Sequence, residues 1–163
     1  MRGLAAAVLV ASIDQWTKGA IFARFGVPST RELVTGLSIS TGFNTGVAFG
    51  VGTGLPPWLL VAIGVAIAGW FLILMSKAQT AVHSIGFGAV IGGAAGNVID
   101  RLRFHQVRDF IDVHAGHWHW PAFNFADSFI FVGVVLLLIP AGSGRFGRGP
   151  PATEPTISPD GLK

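Results

Sequence analysis

The apolar residues of the chain gather into four runs: Leu4 to Ala23, Trp58 to Ser76, Val82 to Ile99, and about Phe125 to Ile139. A helix needs about 17–25 mostly apolar residues to cross a bilayer, and these runs meet or approach that length. The second has no charge and the third is rich in glycine. The fourth carries only Asp127 and closes at Pro140 and Gly142, and the first is interrupted by Asp14 and Lys18. Four membrane-spanning helices are therefore predicted. Arg2 ahead of an apolar run has the form of a secretory signal, but Asp-Gln-Trp-Thr-Lys and three more spans follow it. The run reads as a retained first helix.

Four spans put both termini on one side of the membrane. Lys77 to Ala81 makes a tight hairpin on that side, and the longer connections, Arg24 to Pro57 and Asp100 to Asn124, share the other. In the first of these, Leu37-Ser-Ile-Ser-Thr-Gly-Phe43 alternates apolar and polar residues, the period of a half-buried strand. It predicts a small amphipathic sheet at the membrane surface. The Lys/Arg bias that orients membrane proteins is tied here. Arg2, Lys77, Arg145, Arg148 and Lys163 lie on the terminal side, and Arg24, Arg31, Arg101, Arg103 and Arg108 lie opposite. Beyond Ser143 the chain is rich in Gly and Pro, so residues 1–142 read as one domain and 143–163 as a disordered tail.

Composition agrees with a bilayer environment. Of 163 residues, 51% are hydrophobic and 12% charged, with a mean hydropathy of +0.62, which leaves too little polar surface for a soluble domain. There is no cysteine, which excludes disulfides, thiolate metal sites and cysteine nucleophiles, and excludes the chain from being an acylated lipoprotein itself. The +3 charge is small and its basic residues are scattered, so no nucleic-acid footprint is expected.

Ionisable groups inside membrane segments cost roughly 2.5–3.5 kcal/mol each and call for partners or a purpose. Asp14 and Lys18, at i and i+4, suit an ion pair. Asn97, Asp100 and Arg101 close the third run at helical spacing and could neutralise one another. Gly88, Gly92 and Gly96 share one helical face as a packing seam. Asp109 follows the third run and Asp127 begins the fourth, so both fall at one face of the bilayer. Two carboxyls held together share a proton near neutral pH, one serving as base on a water and the other as acid on a carbonyl. That is aspartic proteolysis, and it needs no metal or cofactor. The residues alone also allow Asp127 to be a helix cap and Asp109 to pair with Arg108 or Arg101. His114, His117 and His119 form a rival, metal-binding constellation, or an interfacial loop anchored by Trp118 and Trp120.

Five segments in order resemble the bacterial lipoprotein signal peptidase (signal peptidase II) family. They are Asp14-Gln-Trp-Thr-Lys18, Asn44-Thr-Gly-Val-Ala-Phe49, Gly92-Gly-Ala-Ala-Gly-Asn97-Val-Ile-Asp100-Arg101, Val107-Arg-Asp109-Phe-Ile-Asp112 and Phe123-Asn124-Phe-Ala-Asp127. The resemblance implies an all-α integral membrane fold of four transmembrane helices, with both termini cytoplasmic and a small sheet and a lid-like loop on the outer face. It implies residence in the bacterial inner membrane. The reaction would be removal of the signal peptide from prolipoproteins bearing a diacylglyceryl cysteine, with no cofactor and as a monomer among membrane lipids. Asp109 and Asp127 would be the catalytic dyad. Asn44, Asn97, Arg101 and Asn124 would hold the dyad or bind substrate backbone, and Asp14, Lys18 and Asp100 would support the site. Two positions depart from the family pattern: His105, where a glycine is usual, and Arg108, where an apolar residue is common. Arg108 is therefore expected to point away from the dyad.

Two other classes stay open on the residues alone. One is an ion or proton carrier relaying through Asp14, Asp100, Asp109 and Asp127; the other is a metal-dependent membrane enzyme built on the three histidines.

Overall fold

The structure, a computed structural model, describes residues 1–46, 52 and 54–140. Val47, Ala48 and Phe49 of the second motif lie outside the described residues, as does the tail expected over 143–163. The described residues form α1 (Arg2–Phe25), β1 (Ser29–Val34), β2 (Leu37–Asn44), α2 (Pro57–Ser76), α3 (Ala81–Phe104), β3 (Val107–Ala115), β4 (Trp118–His119) and α4 (Phe125–Leu138).

Each apolar run has become a helix. Pro57 opens α2 at a position where its missing N–H is no loss, the Thr80 side chain caps α3 by accepting from His83 N, and α4 stops short of Pro140. Only α3 runs well past its apolar stretch, because Asp100 and Arg101 find partners inside the fold. α2 and α3 are long and apolar enough to span a bilayer, with mean hydropathies of 2.5 and 1.4. α1 has 24 residues but carries buried charges, and α4 has 14, or about 21 Å of helix.

α3 is the central helix and packs on α1, α2 and α4. Its glycines explain how. Gly88 and Gly92 lie against the α1 backbone at Gly3 and Ala7, and Gly96 lies against the Asp14 side chain. From the other side, Gly86 and Gly93 meet α4 at Gly133 and Ala126. A side chain at any of these points would crowd its neighbour, so small residues bring the backbones together. The expected seam is present, and a second one faces α4.

The bundle is apolar outside and polar within. Leu9, Trp70, Phe131 and Leu138 are 60–76% exposed, whereas Asp14, Lys18, Asp100 and Asn124 are fully buried. Lipid, not water, matches such an exterior.

The strands make one antiparallel sheet in the order β1-β2-β3-β4. Residues opposite each other on a ladder share a face. One face carries Val34, Leu37 and Val113, then Ile39 and Ile111; the other carries Glu32, Ser38 and Asp112, with His114 opposite His119. The amphipathic sheet foreseen from residues 37–43 is therefore present. Beyond that expectation, the connection holding Asp109 is itself a strand, β3, with Gly42 paired to Asp109 and Asn44 to Val107. α3 turns into β3 at His105, whose backbone is left-handed (φ 61°, ψ 7°) and whose N–H closes on Arg101 O. Such a cap suits glycine best, the residue that the resemblance leads one to expect at that position.

Candidate active site

The site begins with the cap of α4. Asn124 Oδ1 accepts from Asp127 N (3.1 Å) while Asp127 Oδ2 accepts from Asn124 N (3.2 Å), a reciprocal capping box. The local signal that starts the helix thus also fixes one carboxylate. The remaining Asp127 oxygen, Oδ1, accepts from Asn97 Nδ2 of α3 at 2.9 Å.

Asp109 reaches the same place from the sheet. Its Oδ1 accepts from Asn124 Nδ2 at 2.6 Å and its Oδ2 from Asn44 Nδ2 of β2 at 3.0 Å. Asn124 therefore serves both carboxylates, one through its backbone and one through its side chain. Asn97 Oδ1 accepts from Asn124 Nδ2 (3.3 Å) and from Lys18 Nζ (3.0 Å), so its amide nitrogen is left for Asp127. Both acids line one cavity of about 890 Å³ with Asn44, Asn97 and Arg101, and its other walls are apolar residues of α2, α3 and α4.

Each carboxylate here is held by amides and not by a cation. Burial, and after it the charge of Asp127, pushes the Asp109 carboxyl up to about 6. Arg101 lies near enough to feel both acids. Its hydrogen bonds go to carbonyls, Nη2 to Gly46 O (2.7 Å) and Nη1 to Asn97 O (3.4 Å). Its Nε is buried with no acceptor among the described residues.

Next to this pair sits a second acidic cluster with the opposite character. Lys18 Nζ is 2.8 Å from Asp14 and 3.4 Å from Asp100. Arg108 donates to Asp100 through N, Nε and Nη2 at 2.9, 3.2 and 2.7 Å, and its guanidinium lies 4.6 Å over Phe104. Asp14 also accepts from Ala126 N at 2.9 Å, which ties α1 to the first turn of α4. The expected pair of Asp14 and Lys18 is present. The self-contained knot of Asn97, Asp100 and Arg101 is not: Asp100 turns to Lys18 and Arg108, while Arg101 faces the cavity. Arg108 faces Asp100 and not Asp109, in line with the expectation that it points away from the acid pair.

Gln15 went unassigned in the sequence. It donates to Gly96 O (3.0 Å) and Asp100 (2.9 Å) and accepts from Arg108 (3.2 Å). The available signal was an amide beside a buried Asp in an apolar run. The histidines have ordinary roles: His119 Nδ1 lies 2.9 Å from Asp112, His114 lies 3.1 Å from Ser38, and the two rings stack 5.1 Å apart. Among the described residues no group of three His, Asp or Glu side chains is arranged to hold a metal.

Residues 6–141 match the family described as signal peptidase (SPase) II. The lipoprotein signal peptidase of Burkholderia thailandensis is 37% identical over 139 residues, covering 83% of this chain and 84% of that protein. That of Paraburkholderia phymatum is 39% identical over the same shares. Two solved structures, each described as a bacterial membrane enzyme studied by the in meso method, share the fold. The one at 2.3 Å resolution has a TM-score of 0.75 and 29% identity, over 84% of this chain and 85% of that one. The one at 1.9 Å has a TM-score of 0.74 and 28% identity, over 87% and 93%.

Proposed function

The chain belongs to the signal peptidase II family, and from that premise we propose that Asp109 and Asp127 are the catalytic pair of an aspartic peptidase that removes signal peptides from prolipoproteins. The observation that carries the assignment is their convergence. A strand and a helix each deliver one carboxylate to the same cavity, and Asn124 holds both.

With one proton between them, the ionised carboxylate removes a proton from water as its oxygen adds to the scissile carbonyl carbon. The protonated carboxyl gives its proton to the carbonyl oxygen. Collapse of the tetrahedral adduct breaks the C–N bond: the departing amine takes up the proton drawn from the water, and one hydroxyl proton of the adduct returns to the other carboxylate, which restores the pair. Asn44, Asn97 and Asn124 position the pair. Arg101, with an unused Nε, donates to a substrate carbonyl. Asp14, Lys18, Asp100 and Arg108 lock α1, α3 and β3 behind the site.

The substrate carries a diacylglyceryl cysteine at the cut. Apolar walls contributed by α2, α3 and α4 suit a signal helix and acyl chains arriving sideways from lipid, while the polar end of the cavity meets the water that hydrolysis needs. All four helices span the inner membrane, with both termini cytoplasmic and the site at the outer face beneath a lid-like loop. The Lys/Arg count is tied, and this orientation rests on the family membership. The enzyme works as a monomer, with residues 1–142 as its domain and the tail dispensable.

The test is processing of a diacylglyceryl-modified prolipoprotein by purified protein. Asp109→Asn and Asp127→Asn are each expected to lower the rate by about 10³-fold or more. The variant with His114, His117 and His119 all changed to Ala, and wild type with chelator, stay within about twofold. Chelator-sensitive cleavage, or full activity in either Asn variant, defeats the assignment.

A further inference from the structure

Gly42 stands directly across the β2–β3 ladder from Asp109, so a side chain there would project on the same face as the carboxylate. Asn44, two residues along β2, shares that face and donates to Asp109. Glycine in a strand interior weakens the strand and marks either a backbone need or a close approach by something else. Neither packing nor conformation calls for glycine at this position. Its φ is not positive, although a register shift lies between Ile39 and Gly42, and a Cβ added there meets nothing within 4 Å. The space it leaves open belongs to a second cavity of about 300 Å³, lined by Gly42, Phe43, Asn44, Thr45, Asp109 and Pro121 among others.

Asp109 and Asn44 border both cavities, so the carboxylate stands between two chambers of different character. The larger runs along α2, α3 and α4 past Leu60, Ile63, Val90 and Ile130 and is walled mainly by apolar residues. The smaller has the polar residues Asn44, Thr45 and Asp109 in its lining. The substrate offers the site two apolar parts, the signal helix before the cut and the acyl chains on the cysteine after it, and one polar part, the chain beyond the cysteine. The apolar parts match the larger chamber and the polar part the smaller.

We propose that the cavity over Gly42 is a substrate subsite for the residue that follows the lipidated cysteine, and that the absence of a side chain at position 42 sets how large that residue can be. The proposal rests on the catalytic reading of Asp109. Its experiment compares two diacylglyceryl-modified prolipoproteins, one with serine and one with tryptophan directly after the cysteine. Both are cut by wild type, Gly42→Ala and Gly42→Val, and thermal unfolding of each variant is recorded in detergent. The ratio of kcat/KM for the serine substrate over the tryptophan substrate rises about tenfold in Gly42→Val and by a smaller step in Gly42→Ala. A ratio equal to wild type in both variants overturns the proposal, whether the two rates fall together or not at all. Should Gly42→Val fail to fold, the step in Gly42→Ala decides alone. A wild type that cuts neither substrate defeats the peptidase reading instead.

Discussion

Two pairs of acids lie side by side in this bundle, and they are opposite in charge balance. Asp14 and Asp100 are fully buried, Asp109 is 4% exposed and Asp127 is half-buried, so burial alone does not separate Asp109 from the first pair. Compensation does. Asp14 and Asp100 have Lys18 and Arg108 within 2.8 Å, two acids against two bases. Among the described residues the hydrogen-bond donors to Asp109 and Asp127 are amides, and an amide fixes an oxygen without neutralising its charge. The first cluster is a closed structural lock, while the second keeps a proton in play and faces a cavity. A buried carboxylate becomes chemically useful when its geometry is satisfied and its charge is not.

The contrast makes stability respond to neutralisation with opposite signs. Asp100→Asn leaves Lys18 and Arg108 one countercharge short, and breaking a buried pair this way costs about 3–5 kcal/mol. Thermal unfolding in detergent should show a large fall in Tm, and an unchanged Tm would dissolve the distinction between the clusters.

Asp109→Asn should do the reverse. The folded carboxyl is raised to about 6 from 3.8, so the native state holds its proton more tightly than the unfolded chain does. Wild-type stability therefore declines as pH climbs from about 4 to about 6, and the penalty persists above that, roughly 3 kcal/mol in all. The Asn variant escapes it. It should unfold at a higher temperature than wild type at pH 8, with the gap closing by pH 4. A gap that widens toward acid would reverse the sign assigned to Asp109. In activity, the same group gives wild type a basic limb, with rate lost as pH climbs above about 6 and the shared proton leaves the pair.

The smallest effect lies in the turn joining the two clusters. His105 holds a left-handed conformation that costs an ordinary residue about 1 kcal/mol. His105→Gly should raise stability by up to that amount while leaving the basic limb in place. A fall in stability would mean that the imidazole contributes something its cap geometry does not reveal.

Much of this was legible along the chain. The four helices follow from apolar runs whose ends are marked by Pro57, Asn124 and Pro140, and β2 follows from the alternation at 37–43. The strand carrying Asp109 escaped notice because Asp109-Phe110-Ile111 breaks the period of two, with Phe110 and Asp109 both buried against different neighbours. Motif order singled out the nine polar residues of the site, but not who holds whom. Asn97, Asp100 and Arg101 look like one knot on a helix, yet they face three ways once α1, β3 and α4 close around them.

What the sequence determined by itself, then, is local: where the chain prefers lipid, where a capping box starts α4, and which polar residues must be explained. Only the tertiary structure decided their partnership. It gave Lys18 and Arg108 to one pair of acids as direct partners and left the other pair on amides, with Arg101 nearby but bonded to carbonyls. Charge compensation depends on distance in space, and residues as separated as Gln15, Asp100 and Arg108, or Asn44 and Asp109, become neighbours only when glycine seams and a sheet register draw their backbones together.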